Sequence, residues 1–364
     1  MGDSNGLPPQ LTAPHTKAKV SVARCADYWY VACTASELKN APLPLTILGI
    51  PMVFFRTKSG VPGALLDRCP HRNVPISAGE VDGEALRCGY HGWEFSTKGS
   101  CLLIPGLKGE SNTKGHAATA YPVVEKQGYI WVYTNPDVAP KIEPFHIPLL
   151  SDTNYNHVRQ MVEAPGTLHA TIENALDVPH TSFLHKGLFR GKGTRNDITV
   201  EIRRWNNRVE AKYIGEPRPQ GIAAKIASPG GGEVEHYDRF FMPSVAQVEY
   251  KIGDDSHILT TAIGTPVSDF HTKLFTIISF RFGRMPGWMV RSVLEPIGKM
   301  IFKQDAVMLG KQTELIGKFG GEQFTSTEID VLGPHIWRLM KAGERGEAGE
   351  MDEEPTLNIV EMNV

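Results

Sequence analysis

An excess of charge is missing from this 364-residue chain, whose formal net charge is −2. Nucleic-acid binding usually shows as a marked basic excess, so that class of partner is not expected, and anionic partners are not favoured either. Long apolar runs are missing too. The most apolar stretch, residues 41–55 (APLPLTILGIPMVFF), is broken by Pro42, Pro44 and Pro51 and falls short of the roughly 20 residues of a membrane-spanning helix. The opening segment, MGDSNGLPPQLTAPHTKAKV, lacks the apolar stretch of a signal peptide and reads as a flexible lead-in over residues 1–27 of a cytoplasmic protein. Cysteines are scarce: five, an odd number without a secretion signal, argue against a disulfide framework. No repeat occurs at a solenoid period. No G-x-G-x-x-G opens a helix after a strand, and no C-x4-C-x2-C is present, so NAD(P)H and flavin chemistry are expected on a separate protein.

What is present divides the chain in two. From Tyr28 to about residue 145, short β-like runs (YWYVAC, MVFFR, ALRCGY, GYIWVYT) alternate with Gly and Pro turns, the pattern of a compact antiparallel β domain. From residue 146 to 340 the pattern predicts a helix around Ala170 to Leu184 and alternating runs such as ITVEIRRWNNRVEAKYI, RFFMPSVAQVEYKI, HILTTAIGTPV and KLFTIISFRFG. A second helix is predicted from Trp288 to Phe319, begun or kinked by Pro296. This is an α+β arrangement with a large antiparallel sheet. Residues 341–364, acidic and Gly-rich at GERGEAGEMDEEPT, read as a mobile tail.

Two stretches carry chemistry. The first pairs a cysteine with a histidine twice, as Cys69-x-His71 and, sixteen residues on, Cys88-x-x-His91. Zinc could bind two thiolates and two imidazoles, but zinc motifs more often pair Cys with Cys and His with His. One Cys and one His from each loop suit a Rieske-type [2Fe–2S] cluster, with two Cys on one iron and two His on the other. Neutral imidazoles in place of thiolates raise the potential from about −400 mV to about −150 to +300 mV. Gly89 and Gly92 would let backbone N–H groups approach a sulfide, and Tyr90 and Trp93 would shield the cluster. Cys25, Cys33 and Cys101 are expected to be buried small residues. The second stretch, ENALDVPHTSFLHKG over residues 173–187, sets Asp177 and His180 on one helix face but turns His185 about 140° from His180, so either a helix ends or bulges between them or the two histidines are unrelated. Two imidazoles and one carboxylate on one face of a metal form the facial triad of non-haem Fe(II) oxygenases. His157, His169 and His236 lack such company and read as structural or surface residues.

Cys69, His71, Cys88 and His91, followed in order by Asp177-x2-His180-x4-His185, resemble the motifs of the Rieske non-haem iron oxygenases, from roughly Tyr28 to Leu339. The resemblance implies a Rieske domain followed by a helix-grip (START-like) catalytic domain. It makes the first four residues cluster ligands and His180 and His185 ligands of a mononuclear Fe(II). Asp177 becomes the bridge for electrons between subunits, with Asn174 in register, and Asp305 the third iron ligand; Glu314 is a weaker substitute and Glu173 a near neighbour. It further implies O2 as cosubstrate, a separate reductase and in some systems a ferredoxin, with NAD(P)H acting only through them, and a head-to-tail homotrimer. The expected activity is hydroxylation or oxidative demethylation of an apolar ring-containing molecule bound among residues 200–300. The layout resembles the branch with aromatic O-demethylases and steroid or sterol oxygenases, and the Met- and Phe-rich run from Leu274 to Phe302 is the one hint of a polycyclic substrate. An electron carrier or lipid-binding module without mononuclear iron, and a structural zinc protein, are the alternatives.

Overall fold

The computed structural model describes residues 21–107, 115–185, 197–216, 233–254, 256–283, 286–347 and 354–363. These fall into two compact units. One holds Ala26–His146; the other holds Ile147–Val364 and the described residues 21–25.

The described residues of the first unit are β strands and turns, with one short 3-10 helix at Ile76–Ala78. Its strands are β1 (Trp29–Thr34), β2 (Leu43–Ile47), β3 (Ile50–Arg56), β4 (Pro62–Leu66), β5 (Glu80–Asp82), β6 (Ala85–Arg87), β7 (Glu94–Phe95), β8 (Cys101–Leu103), β9 (Val123–Lys126) and β10 (Tyr129–Tyr133). They form three antiparallel sheets in the orders β1-β10-β9, β2-β3-β4 and β5-β6-β7-β8. The β2–β3 connection is a two-residue turn with positive φ at both Leu48 and Gly49, whose twist matches the flanking strands. A core of Val53, Phe55, Leu65, Ile76, Leu86 and Phe95 closes around the buried Cys69 and Cys88. Cys25, Cys33 and Cys101 are likewise buried, and no cysteine is in a disulfide.

The second unit is built on an eight-stranded antiparallel sheet. Its strands are β11 (Asn156–Ala164), β12 (Asp197–Arg204), β13 (Arg208–Ile214), β14 (Val234–Phe241), β15 (Val245–Ile252), β16 (Ser256–Ser268), β17 (His271–Phe282) and β18 (Thr356–Asn363), in the order β11-β17-β16-β15-β14-β13-β12-β18. Among the described residues four helices accompany it: α1 (Leu168–Leu176), α2 (Thr181–Leu184), α3 (Gly287–Phe319) and α4 (Gly333–Glu344). Gly264 of β16 has no side chain, and Leu168 and Ile172 of α1 fill its place. Gln160 of β11 donates from Nε2 to the Glu295 carbonyl of α3 at 2.8 Å, so α1 and α3 lie on one face of the sheet. Pro296 does not begin α3, which starts nine residues earlier, at Gly287. It removes the donor that would bond the Ser292 carbonyl.

Three expectations need correction. The tail over 341–364 is structured at both ends. Helix α4 runs to Glu344 with Leu339 and Met340 buried, and β18 pairs with the whole of β12, from Arg204↔Thr356 to Asp197↔Asn363. The acidic composition around residue 350 masked this edge strand, only one of whose side chains, Met362, is buried. The lead-in over 1–27 is also wrong at its end. Val22, Ala23 and Cys25 are buried, Ser21 Oγ donates to Glu322 at 2.7 Å, and Arg24 forms a forked pair with Asp269 at 3.0 and 2.7 Å. Residues 1–20 lie outside the described residues. Finally, the run from Leu274 starts in β17, where Leu274, Phe275, Ile277, Phe280 and Phe282 are core, and so carries no argument for a polycyclic substrate.

Candidate metal centres

Two tight turns hold the four residues of the first motif. After β4, the Asn73 N–H closes on the Cys69 carbonyl at 2.9 Å and the Cys69 N–H on Val74 at 2.8 Å; Asn73 takes the positive φ that reverses the chain. Between β6 and β7, Gly92 N–H closes on Cys88 at 3.0 Å and Cys88 N–H on Trp93 at 2.8 Å, with Gly92 at φ 71°. The two turns approach closely because Gly79 and Gly89 lack side chains. A Cβ on Gly79 would lie 1.8 Å from the Arg87 carbonyl oxygen, and one on Gly89 2.6 Å from that of Ala78. Gly89 is therefore needed for backbone packing.

The side chains converge. Burial and a hydrogen bond with Cys88 raise the Cys69 thiol, and the His71 and His91 rings are 4.5 Å apart. Desolvation, then the neighbouring His91 and Arg72, hold His71 below its ordinary value, and His71 Nδ1 is buried without a hydrogen-bond partner. Two buried thiols and an orphaned imidazole nitrogen are what a [2Fe–2S] cluster of this type needs. Trp93 stacks on His71 at 4.8 Å and 5°, whereas Tyr90, expected as a shield, is 61% exposed with its ring 3.8 Å from that of His91.

In the second unit α1 is capped at its start by the Thr167 side chain and ends at Leu176. Asp177 is extended (φ −88°, ψ 105°) and α2 begins only after His180, so of the two readings the spacing left open, the helix is interrupted between the histidines. This brings His180 Nε2 to 3.2 Å from His185 Nε2. Asp305, from the middle of α3, sets Oδ1 3.1 Å from His185 Nε2 and 3.6 Å from His180 Nε2. The three ligand atoms lie within 4.8 Å of one another, the only such trio of possible metal-binding side chains among the described residues.

The far side of each ring is fixed. His180 Nδ1 faces the Asp177 carbonyl oxygen at 2.5 Å and Asp177 Oδ2 at 3.2 Å, and His185 Nδ1 faces Gln304 Oε1 at 2.8 Å. Protons on both Nδ1 atoms leave both Nε2 lone pairs aimed at the centre, the orientation that outer-shell partners impose on metal-binding histidines. Burial lowers His180, but Asp177 and Asp305 outweigh it and push it up to about 9; burial raises Asp305, and the two histidines bring it below its ordinary value. Two facing nitrogens beside a carboxylate fit a shared cation. Gln304 was missed from the sequence, which gives no sign that a residue 119 positions away orients His185.

The sequence profile of the Rieske [2Fe-2S] domain matches residues 28–122, and that of the vanillate O-demethylase oxygenase C-terminal domain matches residues 166–343. The vanillate O-demethylase oxygenase subunit of a Pseudomonas species is 31% identical over 351 residues, covering 86% of this chain and 92% of that protein. The chain belongs to the Rieske oxygenases. It is 28% identical over 255 residues to the 3-chlorobenzoate-3,4-dioxygenase oxygenase subunit of Comamonas testosteroni, covering 68% of this chain and 57% of that protein. It spans 25% of the chlorophyllide a oxygenase of Chlamydomonas reinhardtii at 35% identity over 172 residues, 45% of this chain. Dicamba monooxygenase bound to dicamba shares the fold, with a TM-score of 0.75 at 23% identity over 90% of this chain and 99% of that one.

This Rieske oxygenase has a cavity of about 630 Å³, walled by Asn174, Asp177, Tyr213, Met308 and Asp330 among others but by none of the trio. Glu173 also lines it; burial, then Asp177, Asp330 and Glu322, raise its carboxyl to about 7. Glu314 is exposed and paired with Lys318 at 2.7 Å, away from the trio. His169 is buried against the Gly333 carbonyl at 3.0 Å, and burial lowers it to about 4. His157 bonds Ser279 at 3.0 Å. No described helix is long and apolar enough to cross a membrane.

Proposed function

We propose that the chain is a cytoplasmic terminal oxygenase that uses O2 and externally supplied electrons to hydroxylate or oxidatively demethylate an apolar ring-bearing substrate. The observation that carries this reading is the convergence of His180, His185 and Asp305 within 4.8 Å in a chain that also has the Rieske quartet. Relatives whose names include demethylation of vanillate, dicamba and methylxanthine favour a planar aromatic substrate over a sterol. Domains at residues 28–145 and 146–340 would divide the work.

Cys69, Cys88, His71 and His91 would hold the [2Fe–2S] cluster, and His180, His185 and Asp305 the mononuclear Fe(II). When bound, the cluster supplies single electrons at a moderate potential and the iron supplies an open O2-binding position. Asp177 holds His180 by Nδ1 while its side chain, about a third exposed, borders the cavity. We assign it the bridge to a cluster histidine of a neighbouring copy in a head-to-tail ring of three, with Asn174 beside it. Electrons would come from NAD(P)H through a separate reductase, directly or by way of a ferredoxin. On a methoxyarene the sum is ether, O2, NADH and a proton giving phenol, formaldehyde, NAD+ and water.

The test is O2 uptake and formaldehyde release from methoxyarenes with holoenzyme, reductase and NADH. Substrate-dependent, equimolar uptake and release are expected; holoenzyme that gives neither with a competent reductase contradicts the reading. Asp177→Asn should keep both metals and lose turnover by about a hundredfold or more, and near-wild-type turnover would remove Asp177 from the electron path.

A further inference from the structure

Helix α1 carries His169 and, one turn on, Glu173, and it ends at Asp177 after one further turn. His169 is 6% exposed, and its Nε2 lies 3.0 Å from the Gly333 carbonyl oxygen at the start of α4. A carbonyl only accepts, so Nε2 carries a proton and donates it. Burial holds the ring in its neutral form, at about 4. A neutral ring with its proton on Nε2 leaves Nδ1 a bare acceptor, and this buried atom has no hydrogen-bond partner among the described residues. Nδ1 faces Glu173 Oε2 at 3.8 Å. The other carboxyl oxygen, Oε1, fills the place of a side chain at Gly333, 1.8 Å from where a Cβ would stand, so Glu173 is set between α1 and the start of α4.

An unmet buried acceptor is costly, which points to a donor beside it. The surrounding charges show how Glu173 becomes that donor. Asp177 lies one turn along the same helix, and Asp330 and Glu322 act on Glu173 from the segment between α3 and α4. The cavity wall adds Tyr213 of β13 and a single cation, Lys311 of α3, and Lys341 of α4 acts on His169. Burial and three like charges disfavour a further carboxylate, and they raise the Glu173 carboxyl to about 7. In its acid form Glu173 has one O–H to give, and a movement of about 1 Å brings it within hydrogen-bond distance of Nδ1. In its ionised form it offers the Nδ1 lone pair nothing and places a second negative charge one turn from Asp177.

We propose that Glu173 is a positioning residue for Asp177: in its acid form it donates its O–H to His169 Nδ1, completing a chain to the Gly333 carbonyl that holds α1, and the Asp177 at its end, against α4. Ionisation breaks the chain and loosens the electron bridge. This rests on the oxygenase reading above, which makes Asp177 that bridge, and it adds a proton-dependent control on the same path.

The experiment compares wild type, Glu173→Gln and Glu173→Ala holoenzymes at about pH 6 and about pH 8, on either side of the Glu173 value of about 7. The infrared difference between wild type and Glu173→Gln should contain the carbonyl stretch of a protonated carboxyl at the lower pH and lose it at the higher. Stopped-flow absorbance then follows reoxidation of the reduced cluster by O2 with methoxybenzene, or by O2 alone if methoxybenzene leaves the rate unchanged. The wild-type rate should fall about tenfold between the two pH values, the weight of one buried hydrogen bond. Glu173→Gln keeps an N–H donor at either pH and should change by about threefold or less, whereas Glu173→Ala has no donor and should be slow at both. A bond that only stabilised the helix would give all folded proteins the same pH profile. The visible cluster spectrum shows whether each variant is folded, and the wild-type band and its loss with pH decide should a variant fail to fold. No protonated carboxyl at the lower pH, parallel profiles for wild type and Glu173→Gln, or a Glu173→Ala protein as fast as Glu173→Gln would overturn the inference. Iron and sulfide on the same samples separate the two levels. Loaded, reoxidising centres with the wrong band or the wrong profile sink this inference alone, and empty or unreactive centres sink the oxygenase reading and the role of Asp177 with it.

Discussion

Gly79→Ala puts a methyl group where two cluster turns meet. The added Cβ would stand 1.8 Å from the Arg87 carbonyl oxygen and 2.9 Å from the Gly89 nitrogen, against ordinary contacts of 3.4 Å or more. Both neighbours are backbone, so no side chain can swing aside, and the strand must retreat by about 1.6 Å. Arg87 immediately precedes Cys88, whose N–H closes its turn on Trp93, so the retreat displaces one cluster cysteine from the other. Overpacking of this kind costs about 1–3 kcal/mol, and rigid backbone on both sides puts this site at the upper end. Gly83→Ala is the control. It lies in the same β5–β6 hairpin at φ 59° with nothing within 4 Å of the added methyl, so only the left-handed strain of about 1 kcal/mol applies. Visible absorption, acid-labile sulfide and a thermal melt of both variants make the assay. Gly79→Ala should lose most of its cluster and Gly83→Ala keep it. A Gly79→Ala protein with full sulfide and the wild-type melting temperature would refute the close-approach argument.

Two other outcomes follow from side-chain geometry. Gln304→Leu removes the acceptor that fixes His185 Nδ1, and mononuclear metal affinity, read by chelator competition, should fall about 10- to 100-fold with the cluster unaffected. In Glu249, burial raises the carboxyl, but hydrogen bonds from His257 and Arg239 outweigh it and bring it down to about 2 from 4.5. A depressed carboxylate contributes stability above its unfolded value and loses it as pH falls through the folded one. Stability should therefore drop more steeply between pH 4.5 and 2 in wild type than in Glu249→Gln, and parallel melting curves for the two would contradict the assignment.

Local spacing carried the legible part of the site. C-x-H and C-x-x-H each close within one turn and could be read without tertiary information, whereas the five-residue gap from His180 to His185, out of phase with a helix, left the pair open until the family resemblance joined them. Asp305 was harder, since on an amphipathic helix a carboxylate ordinarily faces water. Its place beside His185 appears only when α3 brings it against residues more than a hundred positions earlier. Gln304 was illegible for the same reason, and so was the setting of His236, stacked between Tyr213 of β13 and Tyr250 of β15. In the fold, the alternating runs of β12, β13, β15, β16 and β17 were plain, while of β14 only Arg239 to Phe241 fell in such a run. The first edge strand, β11, lacks a clean alternation, and the last, β18, follows an acidic segment that suggested a tail.

The most direct measurement of the central claim is iron and acid-labile sulfide per chain, on anaerobically purified wild type and Asp305→Ala. The account predicts about three irons and two sulfides in wild type, and about two of each in the variant with an unchanged cluster spectrum. Two irons and two sulfides in wild type after ferrous reconstitution, or an unchanged iron count in Asp305→Ala, would contradict it.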